Sequence, residues 1–177
     1  HRALWDMSMF NLPNLHAMIA LLRDGFHPQS EGGSIELAGD GTPIIDYVIN
    51  DYLWDGVRRS WLSMAEIQFA AGAKAVRASH VDSPWFTSWE EAKAGINALE
   101  FRSNAFTAGS AHCMGGLTMG EDQTRCLVDS NGKYHHLDNL YVFDGSVFPT
   151  SIGANPQLSI YGMACKQANK LLETLKA

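Results

Sequence analysis

The 177-residue chain sets 13 lysines and arginines against 19 aspartates and glutamates, a formal net charge of −6 with both signs dispersed along it. With 46% hydrophobic and 18% charged residues it has the makeup of a soluble globular protein large enough for a real core. No basic stripe of the kind nucleic-acid binding needs is visible, and the longest apolar runs fall far short of the roughly 20 residues that cross a bilayer.

Three cysteines, Cys113, Cys126 and Cys165, do not make a disulfide framework; reduced thiols are the default and point towards a reducing compartment such as the cytoplasm. The chain begins at His1 rather than Met, which reads as a fragment, so any native targeting segment lies beyond reach.

Taken in chain order, "LHAMIALLRDG" predicts a short helix from about Leu15 to Arg23, ended by Gly25. Two β-like runs on either side of Asp40-Gly41 predict a hairpin. From Asn50 to Ala71, Leu53, Val57, Trp61, Met64, Ile67 and Ala71 recur at spacings of three and four, which gives a helix with one apolar face, ended by Gly72. "AKAVRAS" beyond it reads as a strand. Ser88 followed three residues later by Glu91 is a capping box, so a helix runs from Trp89 to about Leu99. Between Cys126 and Phe143 the pattern predicts a strand, an Asn131-Gly132 turn, a short second strand and a further strand from Leu140 to Phe143. Pro156 then suits the first turn of a C-terminal helix. No repeat or linker divides the chain, and the elements add up to a single α+β unit, a mixed β-sheet with covering helices.

The chemistry-bearing residues concentrate late in the chain. In "SAHCMGGLTMG", residues 110–120, His112 has four readings: a zinc ligand, a hydrolase base, a proton acceptor beside a flat cofactor, or a core histidine. A hydrolase lacks its G-x-S-x-G elbow here. Zinc has the right ligand types in His112, Cys113, Cys126, His135 and His136 but no ligand pair at the usual spacings; adjacent His135 and His136 point to opposite faces of a strand. Asn155, just before Pro156, suits either a helix cap or a functional donor. No G-x-G-x-x-G follows a strand and no P-loop is present, so a cradle for a dinucleotide pyrophosphate would have to lie elsewhere.

Placed side by side, "SAHCMGGLTMG" and "CLVDSNGKYHHLDNLYVFDGSVFPTSIGANPQLSIYGMACKQANKL" resemble the C-terminal end of the glucose–methanol–choline (GMC) oxidoreductases, flavoproteins that oxidise alcohols. The likeness is close over roughly residues 108–172 and loose over 44–100. It implies a single C-terminal domain over 1–177, with 1–107 mostly on the substrate side and 108–177 next to the flavin. "GANP" is similar to the cholesterol-oxidase and choline-oxidase branches, which carry Asn where others carry a second His. By that resemblance His112 is the base that takes the hydroxyl proton and Asn155 binds the substrate oxygen. Gly115 and Gly116 let the main chain approach the ring. Asp144 and Gly145 lie along the ribityl and pyrophosphate region of FAD, and Pro156 lies at the pyrimidine edge. The FAD fingerprint of the family is missing, so the implied partners are an alcohol substrate and an N-terminal FAD-binding half. The alternatives are a non-catalytic interaction fragment and a metal-binding domain.

Overall fold

A computed structural model describes residues 8–30 and 32–176 of the chain. It falls into two compact units, one from the described residues up to Leu22 together with Ile49–Gly109, the other from Arg23–Val48 together with Ser110 onward. Among the described residues, no helix is long and apolar enough to cross a membrane.

The first unit is built on two helices, α1 (Asp51–Ala70) and α2 (Trp89–Ala98). Asn50 caps α1 by accepting from Leu53 N through its Oδ1 at 3.2 Å. Gly72, at φ +91°, ends it in the left-handed conformation, and Ala73 N donates back to Gln68 O at 2.9 Å. Ser88 caps α2 through Glu91 N at 3.2 Å, while the Glu91 carboxylate reaches back to Thr87 N at 2.9 Å. These contacts leave Val57, Trp61 and Ala65 of α1 facing Ala92 and Ile96 of α2, with Val76, Ala78 and Phe86 completing the core. Trp61, Phe86 and the partly buried Trp89 are thus core residues. Trp54 stacks edge-on against Phe101 and Phe106.

His80 is buried in the same unit. Its Nε2 donates to Glu100 O at 3.0 Å and its Nδ1 accepts from Asp82 N at 3.1 Å, so both ring nitrogens are used by the main chain.

The second unit opens with a hairpin, β1 (Gly33–Leu37) and β2 (Pro43–Tyr47), paired antiparallel with Ile35 opposite Ile45. Its last element is α3 (Gln157–Lys176). Between them Val128 is the hub of irregular structure, bridged in parallel to Met119 and antiparallel to Tyr134. Val128 and Val147 are fully buried.

The α+β class therefore holds, but several expected elements differ. Residues 15–23 form no helix; a 3-10 turn at Leu12–Asn14 is followed by chain without regular secondary structure. Ile19 is 85% exposed, and a helix of nine residues with no surface to bury its apolar stripe is below the length that stands alone. "AKAVRAS" contributes one bridge, Val76 to Phe86, because Arg77 and Ser83 fold the following residues into a tight turn, Arg77 Nε donating to Ser83 O at 2.9 Å. From Cys126 to Phe143 the Asn131-Gly132 turn forms, with Gly132 N donating to Asp129 O at 2.9 Å, yet the strands shrink to the bridges Val128–Tyr134 and Lys133–Tyr141. The sheet among the described residues is the two-stranded hairpin alone.

Candidate active site

Two stretches of loop run side by side in the second unit. Leu117 N donates to Ser146 O and Met119 N to Val147 O, both at 3.0 Å. Asp144 holds the start of the second stretch, its carboxylate accepting from both Ser146 N, at 2.8 Å, and the Ser146 hydroxyl. Where the stretches cross, Gly145 is buried: a β-carbon on it would lie 3.1 Å from Cys113 O and 3.2 Å from Ile160 Cδ1 of α3. This crossing carries His112 on one side and leads through Pro149 and Gly153 to Asn155 on the other.

His112 and Asn155 come together. With Ala111, Pro156, Gln157, Ile160 and Tyr161 they line an open hollow of about 340 Å³ at the start of α3. His112 is half-buried and Asn155 exposed. Pro156 is buried immediately before the first helical residue, and its carbonyl accepts from Ile160 N at 2.9 Å. It therefore occupies the cap position rather than the first turn, and Asn155 stands one residue outside the helix. The first N–H groups of α3 have no acceptor within the helix, which makes its start attractive to negative charge.

The alternatives for His112 fare differently. The Ser110 hydroxyl accepts from the main-chain N–H of His112 at 3.2 Å and is not bonded to the imidazole. His135 Nε2 lies 2.9 Å from Gly120 O, and Cys126 packs on Gly120, so both are tied into local structure, while His136 lies exposed against Tyr134. Among the described residues no three His, Cys, Asp or Glu side chains gather where they could hold a metal ion. A larger hollow of about 490 Å³, lined by Ser130, Asn131 and side chains of α3 from Lys166 to Glu173, contains no histidine.

The glycines divide. Gly115 has φ +86°, a left-handed conformation that favours glycine, while a β-carbon there would meet Pro149 O at an ordinary 3.5 Å. Gly145 is fixed by the crossing just described. Of Gly115, Gly116 and Gly145, Gly116 has open space beside it. An open main chain there and a helix start at the hollow suit the ring end of a flavin, whereas the pyrophosphate end finds no glycine-rich strand-to-helix turn in this sequence. Two lining residues escape a sequence reading, Gln157 and Tyr161. They are hydrogen-bonded at 2.6 Å, and their only signal is the four-residue spacing that puts both on one face of α3.

Comparison with known proteins brings further findings. The family model described as GMC oxidoreductase matches residues 28–164. The chain is similar to 6'''-hydroxyparomomycin C oxidase of Streptomyces lividus, 37% identical over 84 residues, 48% of this chain and 15% of that protein. It is similar to an uncharacterized GMC-type oxidoreductase of Sinorhizobium fredii, 29% identical over 150 residues, 82% of this chain and 28% of the relative. A cholesterol oxidase of Acinetobacter baumannii is 40% identical over 55 residues, 31% of this chain and 10% of its own length. The chain thus spans less than a third of each of these relatives.

Proposed function

Because the chain belongs to the GMC oxidoreductase family, we propose that it is the catalytic end of an FAD-dependent alcohol oxidase or dehydrogenase, completed by an N-terminal FAD-binding half. The observation that carries this reading is the meeting of His112 and Asn155 in one hollow, neither side chain bonded to another described residue. A bound flavin supplies the acceptor for the hydride that leaves the carbinol carbon.

The residues of this chain do the rest. A neutral imidazole has a ring nitrogen free to accept a proton, so His112 takes the hydroxyl proton of an alcohol placed in the hollow and makes its carbon a better hydride donor. The Asn155 amide donates to the same oxygen as it gains negative charge, the role an oxyanion hole plays. Gly116 would leave room for the flavin ring, the chain from Asp144 through Gly145 would help hold the more distant part of the cofactor, and Pro156 with the start of α3 would stand at the ring's edge. Gly115 keeps the loop that bears His112 in the bend that faces the hollow.

The test is anaerobic flavin reduction in the complete enzyme, followed by stopped-flow absorbance with a good alcohol substrate. His112→Ala is expected to slow reduction by about 10²–10⁴-fold while substrate affinity changes little. Reduction at the wild-type rate with only affinity lost would make His112 a binding or structural residue.

A further inference from the structure

We infer that the Gln157–Tyr161 pair is a specificity device, which holds a second oxygen of the substrate away from the carbon being oxidised and so selects diols and polyols over simple alcohols. The inference rests on the reading of the hollow as an alcohol site. Both residues line that hollow with His112 and Asn155. They sit one turn apart on α3, about 6 Å along the axis. Gln157 Nε2 donates to Tyr161 Oη at 2.6 Å. A phenol that accepts one hydrogen bond from a fixed amide keeps its own proton to give, and its rotation is restricted by the partner it already has.

The position of the pair decides its role. Asn155 and His112 serve the reacting oxygen, and Tyr161 lies six residues beyond Asn155, on the helical turn after the one that begins at Gln157. A group one turn into the helix is set beyond the helix start where Asn155 stands, and is placed to meet an oxygen farther along the substrate. Tyr161 is 59% exposed, so the side chain is not consumed by packing. Ile160, between the two polar residues in sequence, gives the hollow an apolar wall for the carbon chain that links the two oxygens.

The experiment compares 1-hexanol with 1,6-hexanediol and methyl glucoside in the complete holoenzyme. Wild-type enzyme is expected to show a lower KM for the two hydroxyl-rich probes. Tyr161→Phe is expected to raise KM for those probes by about 3–10-fold, the range of one neutral hydrogen bond, with kcat nearly constant and 1-hexanol unaffected. Gln157→Leu, which frees the phenol without removing it, is expected to move KM in the same direction by less. The absorbance spectrum of the oxidised flavin is expected to match wild type in both variants. Equal KM values for all three probes in wild type, or a Tyr161→Phe change that leaves all three unmoved or shifts all three equally, overturns the inference. So does a shifted flavin spectrum with uniformly slower reduction, which would place the phenol on the cofactor. A wild-type rate of flavin reduction in His112→Ala, by contrast, removes the underlying reading itself.

Discussion

Asn155 arrives at the hollow unbonded, and that freedom gives it a sharper test than deletion alone. Asn155→Ala removes a donor and is expected to slow flavin reduction by about 10²–10³-fold, the usual cost of one oxyanion-hole donor. Asn155→Asp is expected to be slower still. It sets a carboxylate against both an alkoxide in formation and a ring that becomes negative on reduction, whereas alanine leaves room for a water to donate instead. Stopped-flow reduction of the two variants under the same conditions checks the order; an aspartate variant faster than the alanine one would remove Asn155 from the oxygen. At this scale His112 and Asn155 were legible because their neighbours, small residues around one and proline after the other, form a recognisable motif. Gly145 was legible as a position but not in its reason. Its contacts with Cys113 and Ile160 come from segments separated from it by more than ten residues, and no local pattern encodes such a crossing.

Among the elements, the helices were readable because their signals are local: an apolar period, a cap, a glycine stop. The capping carboxylate of α2 carries a pH dependence. Hydrogen bonds donated by Thr87, from its main-chain N–H first and then its hydroxyl, hold the Glu91 carboxyl below the usual carboxylate range. A depressed carboxylate contributes stability above its unfolded pKa and loses that contribution as pH falls through the folded one. The start of α2 is therefore expected to fray as pH falls through the ordinary carboxylate range and below it. Amide exchange across residues 88–92 would show it, with the loss absent in Glu91→Gln, which lacks the titrating group. Farther along the same helix Gly95 faces the buried Phe86, and a β-carbon there would lie 2.2 Å from the ring. Alanine is a better helix former than glycine by about 1 kcal/mol, yet overpacking a closed core costs about 1–3 kcal/mol. Gly95→Ala is expected to lower the urea midpoint, and a raised midpoint would mean the ring moves aside freely. The strands were less readable than the helices. Alternation and an Asn-Gly turn predict where a chain doubles back but not whether a neighbouring strand is at hand to lengthen the ladder, and from Cys126 to Phe143 the pairing stops after single bridges.

For the whole molecule, the share of its relatives that this chain spans sets what it does alone. Without a glycine-rich turn to seat the pyrophosphate, the purified 177-residue chain is expected not to retain FAD. Equilibrium dialysis checks this, and a stoichiometric yellow complex would contradict it. The hairpin adds a second property of the isolated chain. Ile35, Leu37 and Ile45 lie on one face of β1 and β2 and are 66%, 74% and 69% exposed, while two strands by themselves are too few to bury a face. A flat apolar surface with two unprotected strand edges is the usual seed of precipitation. Solubility of the isolated chain is thus expected to be set by the hairpin. The paired change Ile35→Thr and Ile45→Thr keeps β-branched side chains on the ladder and is expected to raise the soluble yield at high protein concentration, with no residue of the hollow altered.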